Sequence, residues 1–272
     1  MTSPEGPDRL GRRRRRRLSP AGESPGVRYA IALARTDLER SFRLVHQSYV
    51  DVGLQAPTPN GLRFVKQHLL PQTQVFLAEP VGGGGLLGTV TLVFDTPLGL
   101  PMESVCGEAV DDLRWRGNKV AEVVALAVDP QGRRTNLMMR LYQMVFEYAR
   151  LVGVTRLGCA VMRPHASFYR DVLLFEPVGK SVPYAAGNGL EVQGHFLDLT
   201  TAAGKADAEL RDFFLSKLSW TEGKLNRLLT PWSPETLRYF AVEKTDAAAH
   251  FDEKTRYILR REYAKTGHRF TV

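Results

Sequence analysis

The spacing of apolar residues changes several times along the chain, and each change predicts an element. Val27 to Ala34 alternates and reads as a first strand. Leu38, Phe42, Val45 and Tyr49 then recur at helical spacing, with Thr36-Asp37 offering an N-cap. Gly53 and Pro57-Thr58-Pro59-Asn60 break the chain, and a short helix is expected over Leu62 to Leu70. Gln74 to Glu79 and Leu86 to Phe94 read as an antiparallel hairpin joined by Gly82 to Gly85. Asp95 to Met102 reads as a loop. Val120 to Val128 is apolar on both faces, as a central strand is. A long amphipathic helix is predicted over Arg134 to Val152, followed by a strand at Thr155 to Val161. A short helix (Pro164 to Leu173) and strands at Phe175 to Lys180 and Gly189 to Leu199 complete the pattern, with Asn188-Gly189 as the last turn. Helical patterns return at Ala206 to Leu218, Pro234 to Val242 and Asp252 to Tyr263.

This order predicts an α/β fold: a mixed sheet flanked by helices, with a hairpin ahead of a parallel crossover. Three segments are expected: a disordered basic tail (1–26), an α/β domain (27–204) and a C-terminal helical extension (205–272).

Composition narrows the function. With 43% hydrophobic and 24% charged residues among 272, the chain is ordinary globular material. No apolar run is long enough to cross a membrane. Two cysteines, Cys106 and Cys159, exclude a disulfide scaffold and favour a reducing, cytoplasmic setting. The net charge of +8 sits mainly at the ends: +4 in residues 1–26, +3 in 205–272 and +1 between them. No nucleic-acid partner is therefore expected. The Arg12 to Arg17 run lacks the apolar segment of an export signal. It reads as a solvated tail or as a weak tether to a membrane surface.

The chemistry candidates lie at strand ends, with one exception. Glu122 is the one acidic residue inside the nine-residue apolar strand. A buried carboxylate is costly unless paired. Desolvation raises its pKa towards neutrality, which suits a general base; the competing reading is an ion pair with an arginine or a place at the strand's wet end. Leu126, Ala127 and Val128 close that strand, and Gln131 to Asn136 lead into the long helix. Helix N-termini at such crevices attract phosphate, and Arg133 and Arg134 add charge beside Thr135 and Asn136. His165 and Tyr169, four apart, share a helical face. Either can pass a proton or orient an acyl group, or serve only as surface and core. Cys159 reads as packing, and Cys106 has no adjacent histidine to make it a nucleophile. No metal-ligand spacing occurs.

Several stretches together resemble the long-chain N-acyl amino acid synthases, GNAT-like acyltransferases related to the acyl-homoserine-lactone synthases. They are His68-Leu69-Leu70-Pro71, Gly88-Thr89 with Asp95, Leu98 to Met102, Ala121-Glu122-Val123, and His165 with Phe168-Tyr169-Arg170. The resemblance spans roughly 28–200. It implies transfer of a fatty acyl group from acyl carrier protein to the α-amine of an amino acid. It also implies Glu122 as base, and an acyl-phosphopantetheine arm (or acyl-CoA) as donor between the central strand and its parallel neighbour, with no permanently bound cofactor. Backbone N–H groups at Leu126 to Val128 would hold the thioester oxygen.

Two departures bear on the donor and product. The small positions of the usual coenzyme A loop, Q/R-x-x-G-x-G/A, carry Arg134 and Asn136 here, which crowds a diphosphate and suits an acidic carrier protein. Ala125 and Leu126 stand where the homoserine-lactone synthases carry an arginine, against that product. Two alternatives stay open: an acetyl-CoA-dependent N-acetyltransferase, and a non-catalytic acyl-binding module. The 205–272 helices either cap the acyl tunnel or form a dimer contact.

Overall fold

The computed structural model describes residues 26–130, 132, 136–184, 189–215 and 231–272. Seven strands form one mixed sheet. They are β1 (Val27–Ile31), β2 (Gln74–Pro80), β3 (Gly88–Phe94), β4 (Val120–Val128), β5 (Arg156–Met162), β6 (Glu176–Pro183) and β7 (Glu191–Asp198), in the order β1-β2-β3-β4-β5-β7-β6. The first four run antiparallel to their neighbours, β4 and β5 are parallel, and β7 inserts antiparallel between β5 and β6. The expected hairpin and the parallel crossover are both present.

Helices cover both faces. Helix α1 (Arg35–Asp51) and helix α2 (Glu103–Trp115) lie on one side, and α3 (Leu137–Leu151) packs on the other. The apolar stripe of α3 (Leu137, Leu141, Tyr142, Val145, Phe146) buries against Ala121, Val123 and Leu157. That burial is the main source of its stability, because an isolated 15-residue helix is marginal in water. Helix α4 (Ala166–Asp171) follows a single turn at Arg163–His165, and two short helices, α5 (Ala202–Lys205) and α6 (Ala208–Leu215), close the α3 side.

Three local readings need correction or completion. The cap of α1 is Ala34, whose side chain makes no capping hydrogen bond, and Asp37 lies inside the first turn. The helix expected over Leu62 to Leu70 shrinks to a single 3-10 turn at Lys66–Leu69. The 95–102 loop runs into α2, for which the pattern gave no sign. Helix α2 buries only Cys106 and Val110 and bends at Cys106, so it has no long apolar stripe to read. Part of the last turn (Asn188), the start of the long helix and the tail 1–25 lie outside the described residues.

The C-terminal part contains α7 (Pro234–Arg238), a π turn (Tyr239–Lys244) and α8 (Glu253–Lys265). Ser233 and Asp252 cap α7 and α8 by accepting from Thr236 N and Thr255 N. Leu237, Ala241, Ile258 and Leu259 pack with Leu69, Leu70, Leu98, Leu100 and Met102. The extension thus backs the segments near residues 64–70 and 98–102, the second of which reaches Glu122 through the Met102 N–H.

Candidate active site

Two backbone features open the centre of the sheet. The β4–β5 ladder stops at Glu122↔Gly158, so beyond this pair the strands separate and, among the described residues, β4 has no strand partner on that side. On its other side, β4 bulges against β3: Thr89 pairs with Ala127 but Thr91 with Val124. Ala125 takes up the extra length at φ 54°, a conformation costly for a residue with a side chain.

Between the separated strands and the α1 side lies a cavity of about 1570 Å³. Glu122, Leu126, Ala127, Val128, Asn136, His165 and Tyr169 all line it. Seven of the ten residues expected at the site are therefore brought together. The other three, Arg133, Arg134 and Thr135, lie outside the described residues. Much of the remaining wall is apolar, including Met138, Met139, Val161 and Phe168. No described residue of the C-terminal extension lines the cavity.

Glu122 is 2% exposed, and its Oε2 accepts one hydrogen bond, from the backbone N–H of Met102 at 2.9 Å. No described cation lies within ion-pair distance, so the ion-pair reading fails for the described residues. Burial pushes its carboxyl up to about 8; the Met102 N–H opposes this and the nearby Glu103 adds to it.

The sequence places Met102 there through two glycines. Gly158 stands opposite Glu122, and a Cβ on it would fall 2.5 Å from Met102 Sδ. A Cβ at Gly194, on β7, would collide with the Cys106 side chain. The start of α2 can therefore lie flat on the sheet. Arg114 anchors the loop leading into it, bonding both oxygens of Asp95 at 2.6 and 2.9 Å and also pairing with Glu103.

The other candidates divide. Tyr169 accepts a hydrogen bond from Tyr142 Oη at 2.7 Å, and burial raises its phenol, so it stays neutral. His165 is exposed where the cavity reaches the surface. Burial and the Glu122 charge push the Cys106 thiol up to about 11, which keeps thiolate chemistry out of reach near neutral pH.

Among the lining residues not read as site residues from the sequence are Tyr49, Arg63 and His68. His68 is 2% exposed. Its Nδ1 accepts from Val65 N at 3.0 Å, and its ring lies 4.5 Å from that of Phe42. Burial, with Arg63 adding to it, drives it down to about 3, so the ring is neutral. Tyr49 looked like one more core position of α1. Arg63 sits in a stretch without periodicity. The one available signal was His68, within a stretch that carries the family resemblance.

A central strand ending in a bulge, a parallel neighbour that splays away and a lined cavity between them define an acyltransferase of the GNAT fold. The structure of FeeM, an N-acyl amino acid synthase from uncultured soil microbes, superposes with a TM-score of 0.56 at 23% identity, covering 66% of this chain and 94% of that one. The family described as N-acyl amino acid synthase FeeM matches residues 40–193, and the chain belongs to it. Other solved structures superpose less closely. The acyl-homoserine-lactone synthase LasI is 11% identical, with 70% of this chain and 94% of that one covered and a TM-score of 0.48. For a spermidine N-acetyltransferase mutant from Vibrio cholerae the figures are 13%, 67%, 99% and 0.46. No curated protein matches.

Proposed function

We propose that this protein transfers a long-chain fatty acyl group from the phosphopantetheine arm of acyl carrier protein to the α-amine of an amino acid, with Glu122 as general base. The observation that carries this reading is Glu122 itself: a buried carboxyl with no cation partner among the described residues, in the wall of a large, mostly apolar cavity. An α-amine, with a pKa of about 8, is mainly protonated at neutral pH and cannot attack a thioester. A carboxyl poised near 8 is well matched to removing that proton, directly or through a water. The amine nitrogen then forms the amide bond as the thioester C–S bond breaks, and the carrier's thiol leaves with a proton.

The cleft beyond Glu122↔Gly158 suits the donor arm, and backbone N–H groups of Leu126 to Val128 are the donors for the thioester oxygen. Tyr169 and His165 line the same cavity and serve to orient the acyl group and the leaving thiol. Ordinary small-molecule sites occupy roughly 300–1,000 Å³. The cavity exceeds that range, and its apolar wall of Met138, Met139, Val161 and Phe168 suits a long acyl chain better than an acetyl group. Arg133 and Arg134 precede α3 and suit an acidic carrier protein. We place the reaction in the cytoplasm; none of the described helices is long and apolar enough to cross a membrane.

The test is to incubate the purified protein with dodecanoyl-acyl carrier protein and a mixture of the twenty amino acids, then analyse the products by mass spectrometry. An N-dodecanoyl amino acid, formed faster than with dodecanoyl-CoA, is expected. Formation only of acetylated amines from acetyl-CoA, or no product at all, contradicts the reading. Charge reversal of Arg133 and Arg134 together is expected to raise KM for the carrier protein and to reduce its salt dependence. An unchanged salt dependence contradicts the docking part.

A further inference from the structure

Arg63 lines the same cavity, yet no described carboxylate lies within 4.0 Å of its guanidinium. Its contacts are a hydrogen bond to Tyr184 Oη at 3.3 Å and the face of the Tyr49 ring, 5.5 Å from ring centroid to guanidinium carbon. Neither neutralises it. A half-buried guanidinium facing an apolar cavity without a counter-ion is costly, and an anion brought by a ligand offsets that cost.

The second observation is His68. Its Nδ1 accepts the Val65 N–H, so the ring proton sits on Nε2. That nitrogen is buried and has no hydrogen-bond partner, while the side chain lines the cavity. A buried N–H without an acceptor is rare in a folded protein. The ring is fixed in place: Phe42 and Phe64 flank it at 4.5 and 5.4 Å, and Phe240 of the C-terminal extension packs on both phenylalanines.

The location completes the case. Tyr49, Arg63, His68 and Glu122 line one cavity, and the phenol of Tyr49 feels both the Arg63 and the Glu122 charge. We infer that Arg63 and the Nε2–H of His68 form the subsite that holds the carboxylate of the acceptor, beside the base that takes the proton from its amine. The inference rests on the proposed amino-acid acceptor and assigns the residues that recognise it. A guanidinium supplies the fork that a carboxylate accepts, and the imidazole N–H adds a single donor. An amino-acid acceptor would satisfy these groups with its carboxylate while its amine meets the base in the same cavity, whereas a simple amine leaves Arg63 and His68 unmatched. Selection against such amines follows from the same unpaired groups.

The test uses the product and its neutral analogue, so that it does not depend on turnover. N-dodecanoylglycine and N-dodecanoylglycinamide have no side chain and fit whatever acceptor pocket is present. Titration calorimetry at pH 7 on the full-length protein is expected to show the acid binding at least tenfold more tightly than the amide. Arg63→Gln is expected to remove most of that preference with the amide unchanged, and Arg63→Lys to restore part of it. His68→Phe keeps a ring in the aromatic cluster and is expected to weaken the acid alone by about three- to tenfold. No acid preference in the wild type, or a preference that survives Arg63→Gln, overturns the subsite. Equal weakening of acid and amide in His68→Phe removes the histidine from it. A wild type that binds the acid selectively but transfers no acyl group would instead refute the proposed reaction and leave the subsite standing.

Discussion

Glu79 and Glu122 are both buried carboxylates on strands of one sheet, at 7% and 2% exposure. Glu79 lies near the sheet edge on β2, where Arg28 and Arg40 both bond it, the latter at 2.5 Å. Burial pushes its carboxyl up, but the two arginines outweigh this and hold it below its ordinary value. Glu122, at the sheet centre, has one backbone N–H and no described cation, and burial lifts it to about 8. Burial is common to both, so what separates a structural acid from a reactive one is the partner set. At Glu79 the partners complete the charge. At Glu122 the site leaves the proton in play.

The sharpest break of this comparison is at the two carboxylates themselves. Glu122→Gln is expected to lower acyl transfer by about a hundredfold or more while circular dichroism stays near wild type and melting at pH 7 is not lowered; Glu79→Gln is expected to leave transfer within about twofold. Comparable losses in both would erase the distinction.

Next in size is Gly158→Ala. The new Cβ would press on Met102 and Phe196 and push the Met102 N–H away from Glu122. Loss of that donor raises the Glu122 pKa further, so turnover at pH 7 should fall by about tenfold and its rise should move to higher pH. A rate profile that keeps its midpoint would remove Met102 from the account.

Stability against pH sharpens the contrast in sign. Glu122 keeps its proton in the fold up to about 8, whereas in the unfolded chain it ionises near 4.5. Its contribution to stability therefore falls as pH rises from about 4.5 to about 8 and is level above that. Glu79 has a lowered value, so its contribution is present above the ordinary carboxylate range and is lost as pH falls through its folded pKa. Denaturation curves of the two glutamine variants, each subtracted from wild type, should slope in opposite directions. The smallest effect is on melting: Glu79→Gln should cost about 1 kcal/mol, since both arginines are partly exposed. That corresponds to a drop of about 2–4 °C. A rise in melting temperature would contradict the pairing at Glu79.

The centre of the fold was readable because its signals are local. The run Val120 to Val128 marked the central strand with its actual bounds, and the acid within it drew attention to Glu122. The stripe of α3 and the apolar strand after it marked the parallel crossover. The partner of Glu122 was not readable. It is a backbone N–H, which no residue type announces, at the head of a bent helix with two buried side chains. Arg63 and His68 sit in a segment without period, and contacts from distant parts of the chain, Phe42 on α1 and Phe240 in the C-terminal part, hold that segment against the site. Nor does any spacing rule flag Gly158 and Gly194, whose missing side chains let α2 approach. A polar residue in an apolar strand can be seen from sequence; what it faces is set by contacts far apart in the chain.

The most direct test of the central claim is a carbon-13 NMR titration of the protein labelled at glutamate Cδ, with the Glu122 signal assigned by its absence in Glu122→Gln. The account predicts a midpoint near 8 for that carboxyl. A midpoint at or below 4.5 would mean an ordinary or ion-paired acid, and Glu122 would then be no different in kind from Glu79.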